Sequence, residues 1–103
     1  MTKKTSYGSF SDFYPFYLSQ HANRTCRRLH FIGTWVGLLC LLQALESLNF
    51  WWLLAGLLAG YAFAWVGHFF FEKNRPATFT HPLYSFVGDW VMWKDMLTGK
   101  IPL

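Results

Sequence analysis

Between Leu29 and Phe71 the chain has no lysine and no arginine, and Glu46 is the one acid there. Over all 103 residues only 14% are charged, where a soluble domain carries roughly 25%. So short a chain, if soluble, would also have too little interior to hide six Trp, five Tyr and eleven Phe. A lipid bilayer removes both difficulties. Cysteine is scarce too: Cys26 and Cys40 alone do not make a disulfide framework, and Cys40, inside the apolar stretch, reads as a small packing residue. The N-terminal MTKKTSYGSFSDFYPF has no continuous apolar core close behind its lysines. No cleavable signal peptide is therefore expected, and the apolar segments themselves would direct insertion. Repeats and low-complexity segments are absent. The net charge of +4 is not gathered into a basic domain. The bases flank apolar segments, which reads as membrane anchoring and not as nucleic-acid binding.

This length fits one domain, 1–103. The expected architecture is an all-α integral membrane protein. A helical hairpin of two transmembrane helices is joined by N-terminal and C-terminal helices that are interfacial or re-entrant. Residues 1–10 read as a mobile tail. Ser11 and Asp12 can cap a short interfacial helix over 12–21, with Pro15 near its first turn. Asn23 is the N-cap of a helix over 24–45, whose basic start can snorkel. Glu46, Ser47 and Asn49 mark the turn. The second run, 50–72, rising ~1.5 Å per residue, can cross a ~30 Å hydrocarbon core, and Pro76 bars its continuation. Pro82 opens a further helix over 83–97, too short and too charged for a confident span. All nine bases lie outside the apolar stretch 29–71, and the hairpin tip has none. The positive-inside rule then places both hairpin ends on the cytoplasmic face of a bacterial inner membrane or an ER membrane.

The four histidines, His21, His30, His68 and His81, lie at those ends. Gly60, Ala64 and His68 share one face of the second helix; His30, Gly33 and Gly37 share one face of the first. Small residues in rows mark where membrane helices approach closely, so the two rows predict the helix contact, with a histidine from each at similar depth. A single interfacial histidine is ordinarily a satisfied polar residue. Four arranged about a hairpin point to a bound metal, because ionisable groups near membrane depth are costly and tend to be functional. Imidazoles suit Fe, Zn, Cu and Ni, and the spacing does not choose among them. Iron held by four histidines would keep two of six octahedral positions open; zinc would be closed and structural; haem needs two histidines only. Glu72, one turn beyond His68, reads best as a partner that orients an imidazole. A non-enzymatic membrane hairpin binding structural zinc or haem is the alternative reading.

The run Tyr17-x3-His21-x-Asn23-Arg24-x5-His30-x2-Gly33, followed by Trp65-x-Gly67-His68-x3-Glu72-x-Asn74-x-Pro76-Ala77, resembles the small membrane 2-hydroxy fatty acid dioxygenases. The resemblance covers about residues 12–98. One departure is visible: Ala22-Asn23-Arg24 follows His21 where many relatives carry a proline near the Asn. The resemblance implies an Fe(II)-dependent dioxygenase that removes one carbon from a 2-hydroxy fatty acid. It implies His21, His30, His68 and His81 as metal ligands, and Glu72, Arg24 and Asn74 are the candidate catalytic residues. Arg24, Arg28 or Arg75 could pair with the substrate carboxylate, and the acyl tail would lie beside Trp65, Phe69 or the third helix. The implied partners are 2-hydroxy fatty acid, dioxygen and the bilayer; a homo-oligomer is compatible with the sequence.

Overall fold

The computed structural model describes residues 6–103, so the first half of the expected tail lies outside the described residues. All regular structure among the described residues is helical. Helix α1 covers Phe10–Ser19, α2 Arg24–Ser47, α3 Trp51–Val66 and α4 Pro82–Leu97. From α3 the chain runs on without a break into a π-helical segment, Gly67–Glu72, and a single 3-10 turn, Ala77–Phe79, precedes α4.

Local chemistry explains these boundaries. Ser9, not Ser11, caps α1: its hydroxyl accepts from the Asp12 N–H at 3.2 Å. The helix thus begins two residues earlier than the sequence suggests, and Pro15 falls within it. Asn23 caps α2, its Oδ1 accepting from the Cys26 N–H at 3.0 Å, as its residue type requires. The hairpin turns at Leu48, which adopts the left-handed conformation at φ 56°. The segment over 50–72 ends where expected, but its last six residues are π-helical. Lys73 then leaves the helix at φ 59°.

Helices α2 and Trp51–Glu72 are each long and apolar enough to cross a membrane. They pack along most of their length. A Cβ on Gly33 would lie 2.9 Å from Phe63 Cβ and 3.1 Å from the Gly60 carbonyl, and one on Gly56 would meet Cys40 Cβ at 2.9 Å. The two small-residue rows therefore form the contact that their spacing predicts. Outward from it, Leu39, Leu42, Leu45, Leu54, Leu58 and Phe70 are exposed.

The core sits at the hairpin's open end, where α1 packs on α4 and α4 packs on α2. Phe13, Tyr17, Ala77, Met92 and Met96 form it. Two tyrosines pin it: Tyr14 donates to Asp95 Oδ2 at 2.8 Å, and Tyr17 donates to Asp89 Oδ1. Gly88 lies flat against the Tyr17 ring, where a Cβ would stand 2.8 Å from Cδ2. The ring cannot retreat, because its hydroxyl is held by Asp89 and its face by His21. Gly88→Ala should destabilise the fold by about 1–3 kcal/mol, the range for overpacking a filled core, read as a lowered midpoint of thermal unfolding.

Candidate metal centre

His21 follows α1, His30 lies on the second turn of α2, and His68 lies in the π-helical segment. All three are buried, and one nitrogen from each lies within 4.8 Å of the others. His21 Nε2 stands 3.1 Å from His30 Nε2 and 3.0 Å from His68 Nε2. Glycine makes the approach of α2 to the π-helical segment feasible: a Cβ on Gly67 would sit 3.2 Å from Cys26 Cα.

The opposite edge of each ring fixes its protonation. His21 Nδ1 lies 2.6 Å from the Tyr17 carbonyl, and His30 Nδ1 lies 2.9 Å from the Cys26 carbonyl. Both reach the residue four positions back. His68 Nδ1 lies 2.7 Å from Asn74 Oδ1, and the Asn74 amide nitrogen donates to the Gln20 carbonyl at 3.1 Å, which settles which way the amide points. Each Nδ1 therefore faces an oxygen that only accepts, and must carry the hydrogen. In the neutral ring Nε2 is then a bare lone pair. Three such lone pairs converge in a buried site, and the pattern calls for a cation between them. This is how metal-binding histidines are ordinarily oriented. Separations of 3.0–3.1 Å are those of neighbouring ligands ~2.1 Å from an ion and at right angles to each other. The cavity beside the rings is about 10 Å³, at the lower limit for one water-sized occupant. The donor set fits a divalent transition metal.

A family described as 2-hydroxy-palmitic acid dioxygenase Mpo1-like matches residues 7–101. The chain belongs to the Mpo1-like family. No curated protein and no solved structure matches it.

The four-histidine site expected for this Mpo1-like chain is a group of three in the structure. His81 stands apart from it as the N-cap residue of α4, ahead of Pro82. Its ring packs against Tyr7, Phe13 and Phe16, and its Nδ1 meets Thr80 Oγ1 at 2.8 Å. Asn74 is at the centre, as the partner of His68. Glu72 serves differently from expectation: its carboxylate accepts from the backbone N–H groups of Ala22 and Asn23, at 3.1 and 2.7 Å. It thereby ties the link after His21 to the segment that carries His68. Arg27 reinforces the same link, donating to the carbonyls of His21 and Ala22 at 3.2 and 2.9 Å. Arg24 is exposed and donates to the Leu103 carbonyl at 2.7 Å, so it is not gathered into the centre.

Two further residues were not singled out as site residues by the sequence. Tyr17 stacks on His21 with ring centroids 4.1 Å apart. Asp89, from α4, lines the small cavity beside the histidines and also a larger one next to it. Burial pushes its carboxyl up to about 7, against the lowering effect of the Tyr17 hydroxyl. The Tyr17-x3-His21 spacing could have signalled the first; an isolated Asp on an apolar helix gave no comparable signal for the second.

Burial, then the neighbouring His30 and His68, hold His21 well below the ordinary imidazole value of 6.5. The unfolded chain therefore takes up protons at His21 more readily than the folded one. Stability of the metal-free protein should fall as the pH drops below about 6.5, which denaturant titration at pH 7.5 and 5.5 would measure.

Proposed function

We propose that this chain is an Fe(II)-dependent dioxygenase that shortens 2-hydroxy fatty acids by one carbon at the membrane. The observation that carries the reading is the convergence of three Nε2 lone pairs, from His21, His30 and His68, beside an apolar cavity. Iron held there would act as template for substrate and oxygen and as the redox centre. Held by these three imidazoles, iron would supply the oxygen chemistry and would leave room for the carboxylate and hydroxyl of a 2-hydroxy acid.

The chain's own residues do the holding. Asn74, Tyr17 and Cys26 keep each imidazole in the tautomer that offers Nε2. Glu72 and Arg27 fix the backbone around His21. Asp89 Oδ1 is taken by the Tyr17 hydroxyl, and among the described residues Oδ2 has no hydrogen-bond donor. Asp89 Oδ2 is thus free to accept from a substrate hydroxyl. Arg28 and Arg75, together with Arg24 if it leaves Leu103, supply positive charge for a fatty carboxylate near the hairpin's open end. The exposed leucines and aromatics of the hairpin would face lipid, and the bases at its open end support a cytoplasmic position for the site.

The test joins metal analysis to an assay on one purified sample. Expected are stoichiometric iron, iron-dependent oxygen uptake with 2-hydroxypalmitate, and an acid one carbon shorter. Stoichiometric zinc without turnover, or a strong Soret band, would instead indicate a non-enzymatic zinc or haem hairpin.

A further inference from the structure

A cavity of about 290 Å³ runs along the inner side of the hairpin, away from the histidines. His30, Tyr61, Ala64 and Asp89 line both it and the small cavity at the metal centre, so the two spaces meet. Gly33, Gly37, Gly56 and Gly60 supply much of its room, Phe86 and Trp90 of α4 form one side, and Leu41 and Leu53 line it toward the hairpin's turn. Helix α4 packs on α2 but not extensively on α3, which leaves the groove open between α3 and α4.

We infer that this groove seats the acyl chain of the fatty acid, with its carboxyl end at the metal centre, and that Leu41 and Leu53 set the chain length it accepts. The inference rests on the dioxygenase reading for the identity of the acid. Three observations favour an acyl chain as occupant. The lining is apolar except at Thr34 and at the end where His30, Tyr61 and Asp89 stand. The groove starts at the only buried cluster of metal-ligating residues among the described ones. Its length also fits: from His30 to Leu41 helix α2 climbs about 16 Å, the extended length of about thirteen carbons. With the first two carbons at the metal centre, an acid of about fifteen carbons fills the space.

Thr34 lies one turn from His30, and Thr34→Phe puts a ring across the groove. It stands seven residues short of Leu41, and one residue of helix rises slightly more than one methylene. The preferred acid should then shorten by about eight carbons. Leu41→Ala combined with Leu53→Ala opens the far end, and the preference should move to longer acids. Two readouts on the full chain separate the causes. One is turnover of 2-hydroxy acids from six to twenty carbons by the iron-loaded protein. The other is displacement of a fluorescent fatty acid from the metal-free protein by unsubstituted acids of the same lengths.

Both length profiles should move together in each variant, with iron content retained. Unchanged profiles in Thr34→Phe, or in the double variant if Thr34→Phe does not fold, overturn the inference; the groove would then hold bilayer lipid. Displacement profiles that shift while even the unaltered protein turns over no 2-hydroxy acid leave the groove in place and reject the dioxygenase reading.

Discussion

His68→Ala should leave the purified protein without its stoichiometric metal and without turnover. The effect is large because the change removes one of three converging nitrogens and leaves the other two facing a buried void. A buried polar group left unsatisfied costs about 1–3 kcal/mol, so the variant should also unfold more readily. His30→Ala should behave in the same way. His81→Ala is the informative contrast. His81 lies outside the three-histidine group and packs among Tyr7, Phe13 and Phe16, so its loss should lower stability while iron content stays stoichiometric. Metal analysis by mass spectrometry on the three variants decides this. Loss of iron in His81→Ala would return His81 to the metal.

Asn74→Ala should weaken metal affinity by about 10–100-fold, the usual cost of removing the partner that orients a ligating histidine. Asn74 Oδ1 holds His68 Nδ1 at 2.7 Å, and its amide nitrogen is anchored on the Gln20 carbonyl at 3.1 Å. Without it, His68 is free to rotate or to take the other tautomer. Asn74→Asp keeps an acceptor at Nδ1 and should retain most of the affinity, whereas a merely structural role would be damaged by both changes. Competition with a metal-binding dye, read for the two variants side by side, distinguishes these outcomes.

Much of this arrangement was legible in the sequence, for physical reasons that can be named. The gap in charge between Leu29 and Phe71 marked the hairpin. The glycine rows marked its contact face, because only small residues let two helices approach to where Gly33 meets Gly60. Asn23 and Pro82 placed two helix starts. His30 and His68 meet because both hang on that contact; His21 reaches them from the link after α1, which Glu72 and Arg27 hold in place. His81 did not join them, because no periodicity ties it to the hairpin; its ring direction depends on α4 docking against α1, a tertiary contact. The π-helical turn at Gly67–Glu72 was equally hidden. Nothing in GHFFFE separates five-residue from four-residue hydrogen bonding, yet that turn sets how His68 enters the site. The spacing from His68 brings the Glu72 carboxylate into range of that segment without saying which N–H groups it will meet, here those of Ala22 and Asn23.

X-ray absorption at the iron edge of the iron-loaded protein tests the central claim most directly. An iron site bound through His21, His30 and His68 predicts a shell with about three imidazole nitrogens, the remainder oxygen, and no sulfur. It also predicts that about one imidazole is lost in any single His→Ala variant of the three that still retains some metal. A sulfur contribution from Cys26, or an iron shell of oxygen alone that His21→Ala leaves unchanged, would contradict it.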